Sequence, residues 1–124
     1  MGDRALIIFK NSYSVSPTVY LHWGGIDVAG YIETLRRLTG DEELTPSYAA
    51  ARLIGIAHED TPGVMSIGVY STSDELADSI LKDEGDQITE QSNGDAGIVI
   101  VSTKDYSWQA YGGYLAQNDD EEAA

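Results

Sequence analysis

Apolar side chains along this chain come in short, separated runs, and the spacing inside each run predicts its element. Arg4-Ala5-Leu6-Ile7-Ile8-Phe9-Lys10 is continuous, β-branched and bounded by polar residues, which predicts a buried strand. Residues 11–17 read as a loop. Thr18-Val19-Tyr20-Leu21-His22-Trp23 then predicts a second strand, ended by Gly24-Gly25 and paired with the first as a long-looped hairpin. Val28, Ile32 and Leu35 recur at helical spacing. Asp27 is placed to cap that helix, with Ile26 and Tyr31 as a hydrophobic staple. Arg36 and Arg37 fall in its last turn, where cations suit the dipole, and Gly40 can close it. In the second helix Thr45 is the cap and Pro46 stands at the first helical position. Ala49, Leu53 and Ile56, with Ala50, Ile54 and Ala57, give it a broad apolar face that stops near Glu59.

Val64-Met65-Ser66-Ile67-Gly68-Val69-Tyr70 alternates and predicts a third strand. Thr72 and Glu75 have capping-box spacing ahead of a short helix with Leu76, Ala77, Ile80 and Leu81 on one stripe. Gly85 is its expected stop. Residues 87–91 read as a strand, Asn93-Gly94 as a tight turn, residues 96–102 as the most buried strand and residues 106–111 as the last. The order predicts an α+β fold: a mainly antiparallel sheet of about five to six strands, two helices packed on one face and a short acidic helix. Residues 1–117 are expected to form a single domain, and 118–124 a disordered acidic tail.

Composition removes several function classes. The chain has 124 residues, a length for one domain, and no cysteine, so no disulfide framework or thiolate metal site is open to it. No run approaches the roughly 18 apolar residues of a membrane span. Met1-Gly2-Asp3-Arg4 lacks the layout of a signal peptide, and Leu6 breaks a myristoylation motif. A soluble protein of the bacterial host cytoplasm is expected. The formal net charge of −14 argues against direct binding to nucleic acid or to an anionic membrane. That charge is uneven: residues 1–73 hold eight acids and five bases, whereas residues 74–124 hold thirteen acids and two bases.

Candidate chemistry is sparse. His22 and His58 have no ligand-spaced partner, and a structural role is expected for each. No nucleophile elbow, phosphate loop or dinucleotide fingerprint is present, and Gly24-Gly25 reads as a turn or a close backbone approach. Asp83-Glu84-Gly85-Asp86 followed by Glu90 lacks the ligand spacing of a calcium loop. Paired carboxylates could serve glycoside hydrolysis, but no apolar pocket is foreshadowed to raise one pKa. No catalytic residue, metal or cofactor is assigned.

The acidic segment remains. Asp74, Glu75, Asp78, Asp83, Glu84, Asp86, Glu90 and Asp95 face one base, Lys82. Asp74, Glu75 and Asp78 suit the start of a helix, whereas Asp83 and Glu84 fall at its end, where negative charge is unfavourable. Solubility alone could account for such a surface. A row of carboxylates on a rigid element can also imitate DNA phosphates and compete for the same Lys and Arg side chains. Eight Tyr and two Trp against one Phe suit an interface: Tyr106, Trp108, Tyr111 and Tyr114 cluster beside the acids in sequence, with Tyr106 and Trp108 as the expected anchors or, alternatively, as core residues sharing one strand face.

Gly2-Asp3-Arg4-Ala5-Leu6-Ile7-Ile8-Phe9 followed by Tyr20-Leu21-His22-Trp23-Gly24-Gly25 resembles a family of small uncharacterised bacterial and prophage proteins with the pattern G-[DN]-R-A-[VL]-I-x-F … x-Y-L-H-W-x-G. The likeness covers about the first 60 residues in layout. In size and acidity the chain also resembles acidic, DNA-mimicking anti-CRISPR proteins of type I systems, I-C among them, although its N-terminal half is nearly charge-balanced. These resemblances imply a phage-type inhibitor without enzymatic activity. It would bind a basic nucleic-acid-binding protein or complex, with a type I CRISPR effector as the concrete case, and block target-DNA recognition. The alternative is a small enzyme or ligand-binding protein built on the His22-Trp23-Gly24-Gly25 region.

Overall fold

The computed structural model describes residues 3–92 and 95–116. Five strands form one mixed, mostly antiparallel open sheet: β1 (Ala5–Lys10), β2 (Thr18–Leu21), β3 (Ile67–Tyr70), β4 (Gly97–Ser102) and β5 (Trp108–Tyr111), in the spatial order β3-β2-β1-β4-β5. The α+β class expected from the sequence is therefore the class observed. The hairpin of β1 and β2 is present, with Leu6 opposite Tyr20. The central pair is parallel: β1 runs beside β4 from Ala5↔Gly97 to Lys10↔Ser102.

Both central strands are buried on both faces, which explains their unbroken apolar sequences. Alternation sends Ala5, Ile7, Phe9, Val99 and Val101 to one face and Leu6, Ile8, Ile98 and Ile100 to the other. The first set packs on α1 (Val28–Thr39) and α2 (Pro46–Asp60) through Val28, Ile32, Leu35, Ala49 and Leu53. The second is covered by two short helices, α3 (Asp74–Leu81) and α4 (Gly85–Glu90), through Leu76, Ile80 and Ile88.

α4 corrects the strand expected over residues 87–91. Gln-Ile-Thr-Glu alternates over too few residues to distinguish the two periods, and only Ile88 in the helix is buried. Gly85 opens this helix and does not stop the previous one. The caps differ as well. Asp27 and Thr45 make no side-chain capping bond. A single 3-10 turn at Gly25–Asp27 leads into α1 instead, and Pro46 opens α2 as expected. Ser73, not Thr72, caps α3 by accepting from the Leu76 amide at 3.2 Å. Thr72 is used elsewhere: its hydroxyl donates to the Ser16 carbonyl at 2.7 Å and lies 2.8 Å from that of Thr18. The Asn93-Gly94 turn and the 118–124 tail lie outside the described residues.

Candidate functional site

The α3–α4 layer is built by local chemistry. Asp74 and Glu75 lie in the first turn of α3, where carboxylates complement unpaired amides. Asp78 accepts from the Lys82 ammonium at 2.8 Å, one turn on. Asp83 then adopts a left-handed conformation, φ 57°, which a short polar side chain tolerates better than most. Its amide bonds to the Ile80 carbonyl at 3.2 Å, and the Glu84 amide to that of Ser79 at 2.9 Å. That pair of bonds is the Schellman closure of a helix. Glu84 immediately precedes α4 and Asp86 lies in its first turn.

The sequence offered no local reason for Asp83 and Glu84; the left-handed turn accounts for Asp83, and the second helix for Glu84. Asp83 ends α3, while Glu84 and Asp86 sit at the positive end of α4. Asp83, just past the end of α3, and Glu90, at the end of α4, stand against a helix dipole. Asp74, Glu75, Asp78, Asp83, Glu84, Asp86 and Glu90 are all exposed on this layer, against the single base Lys82.

Asp95 does not add to that charge. Its carboxylate accepts from the Arg4 backbone amide at 3.1 Å and from Arg4 Nε at 2.9 Å. The guanidinium holds Asp95 below the ordinary carboxylate range.

Of the two expected anchors, Tyr106 is corrected. Tyr106 is buried in the α1–α2 core at a left-handed position, φ 61°, so it presents no surface to a partner. Trp108 is half-buried opposite Val101 and packs on that same core, while the residue also lines a cavity beside α3 and α4. The aromatic beside the acids is Tyr111. It lies opposite Ile98 and packs on the α3–α4 core. Burial raises its phenol pKa, and Asp83 raises it further. Gly85 allows this approach, since a β-carbon there would lie 3.3 Å from the Tyr111 ring. This cavity of about 340 Å3 opens between these elements, lined by Lys10, Ile80, Asp83, Ile88, Trp108 and Tyr111 among others. Period two places Trp108 and Tyr111 on opposite faces of β5, and only the packing of α3 and α4 decides which of the two faces meets the acids.

The His22 region has a structural account. The Tyr20 hydroxyl lies 2.8 Å from His22 Nδ1, and Trp23 meets the imidazole edge-on at 5.0 Å. His22 and His58 line two depressions on either side of the 62–66 loop, and no carboxylate lines either one. Gly24 turns at φ 86°, beneath the Tyr31 hydroxyl. At Gly25 a β-carbon would lie 2.8 Å from the Asp3 carbonyl. The amides of Gly25 and Ile26 are already bonded to the Asp3 carbonyl and carboxylate, each at 2.9 Å. The other Asp3 carboxylate oxygen accepts from the Tyr114 hydroxyl at 2.6 Å. Asp3, Arg4, His22 and the two glycines thus tie the start of the chain to its neighbours. Among the described residues no group of His, Asp and Glu is arranged to hold a metal ion, and no helix is long and apolar enough to cross a membrane.

No family model, no curated protein and no solved structure matches the chain.

Proposed function

We propose that the protein is a non-enzymatic binding protein whose α3–α4 layer docks on a basic, nucleic-acid-binding surface of another protein or complex. One observation carries this reading: seven exposed carboxylates against one ammonium on two helices pinned to the sheet by Leu76, Ile80 and Ile88. Such a rigid array offers counter-charges to Lys and Arg at no ordering cost and steers a basic partner from a distance. Tyr111 and the adjoining cavity supply a half-buried contact at the edge of the array. An anti-CRISPR inhibitor of a type I effector is the concrete version, resting on the resemblance in size and acidity.

The test neutralises charge without disturbing the helices. Asp83→Asn keeps a residue suited to the left-handed turn, and Glu75→Gln, Glu84→Gln, Asp86→Asn and Glu90→Gln complete the set. Each exposed charge is worth about 0.3 kcal/mol, so the five together should weaken binding about tenfold. The readout is competition with target DNA for a purified type I effector, together with capture from host lysate at low and high salt. Salt-sensitive capture of a nucleic-acid-binding protein, lost in the quintuple variant with its circular dichroism unchanged, is the expected result. Capture that ignores both salt and the five substitutions would overturn the proposal.

A further inference from the structure

Residues 61–73 contain no Asp, Glu, Lys, Arg or His, in a chain whose residues are 23% charged. This uncharged stretch includes β3, an outer strand of the sheet. Outer strands are usually guarded against further pairing by a Lys, a Pro or a bulge. Ile67-Gly68-Val69-Tyr70 has no charged residue and no Pro, and it pairs with β2 in unbroken register. The bond from the His22 amide to the Ser66 carbonyl, 2.8 Å, fixes the phase of that pairing. Antiparallel alternation then turns the backbone groups of Gly68 and Tyr70 toward β2 and those of Ile67 and Val69 outward.

The side chains around this edge are apolar and open. Val64 is 96% exposed, Met65 83% and Val69 57%. A groove of about 280 Å3 runs between β3 and α2, lined by Ile54, His58, Val64, Ile67 and Val69 among others. Apolar surface gathered at one edge marks an interaction site more strongly than the same residues scattered.

We infer that β3 pairs antiparallel with β3 of a second copy, giving a two-fold dimer with one continuous sheet. Ile67 and Val69 of each copy then extend the apolar lining beside Ile54 and Val64 of the other. Charge selects this occupant. Two copies carrying −14 each repel through any carboxylate-bearing face, and this edge lets them meet without opposing charges. A basic partner finds no counter-charge here. An isologous pairing is also self-complementary and closes at two copies.

The inference is independent of the acidic layer, and salt separates the two. Screening lowers the repulsion between copies, so dimerisation should strengthen with salt, whereas docking through the α3–α4 carboxylates should weaken. Sedimentation velocity across a concentration series, at low and high salt, should show a monomer–dimer equilibrium that shifts toward dimer as salt rises. Val69→Lys sets like charges across the two-fold axis and should weaken the dimer by about a hundredfold. Val64→Lys, at a side chain almost wholly in solvent, should weaken it without risk to the fold. Amide exchange at Ile67 and Val69 should slow as wild-type concentration rises. A wild type that stays monomeric at high salt and high concentration would overturn the inference. A dimer indifferent to both lysines, or growth beyond two copies, would do the same.

Discussion

Tyr106 places its ring in the α1–α2 core while its hydroxyl meets no hydrogen-bond partner among the described residues. A buried hydroxyl without a partner adds desolvation cost and no bond. Tyr106→Phe should therefore leave stability within about 1 kcal/mol of wild type or raise it, as read by urea unfolding. A larger loss would mean that the hydroxyl is bonded after all. Gly97 is the opposite case. Its φ is 101°, and a β-carbon there would sit 2.4 Å from the Tyr111 carbonyl oxygen. Gly97→Ala should cost more than about 1 kcal/mol in the same experiment. Acid sensitivity also belongs at this scale. Arg36, reinforced by Arg37, holds the Glu33 carboxyl down to about 2, from an ordinary 4.5. A carboxyl depressed in the folded state contributes stability above its ordinary value and loses it as pH falls through the folded value. Glu33→Gln should lower the Tm slightly at neutral pH and make no difference near pH 2, by differential scanning fluorimetry across a pH series. Sequence reached this scale unevenly. Pro46 and the cationic end of α1 follow from local rules and are present. The bonds of Asp3, Arg4 and Thr72 join residues from 23 to 111 positions apart, beyond the reach of any local rule.

At the scale of elements, periodicity was a sufficient guide wherever a run was long or buried on both faces. β1, β4, α1 and α2 stand near their expected limits because four or more apolar residues in each set the period unambiguously. α4 was illegible because a six-residue helix anchored by one apolar side chain carries no period. Missing that helix also made the acids at its start look misplaced. If Ile88 is its anchor, Ile88→Ala should cost about 2–5 kcal/mol or locally release α4. Hydrogen exchange distinguishes the two results: global destabilisation raises exchange everywhere, and local release raises it at residues 85–92 alone.

Across the whole molecule, charge is distributed by layer. The α3–α4 side gathers seven carboxylates around the one ammonium of Lys82, whereas on α1 Glu33 is held by Arg36 and Arg37. The β3 edge carries no charge at all. A net charge of −14 is legible in composition, and the concentration of acids after residue 73 is legible in the sequence. Which aromatic accompanies them is not, because that depends on which face of β5 meets the helices.

The parallel pairing of β1 with β4 sets a schedule for synthesis. β1 leaves the ribosome well before its central neighbour, which is completed only at residue 102. Until then Leu6 and Ile8 have no Ile98 or Ile100 beside them, and one side of the sheet's first strand stays unpaired. The contact spans 92 positions along the chain, and a closure of that length is slow. Arrested nascent chains ending before β4 should be cleaved readily by a protease, and chains that expose residues 97–116 should resist it. For a cell making this protein, the vulnerable interval runs from the synthesis of β1 to that of β4.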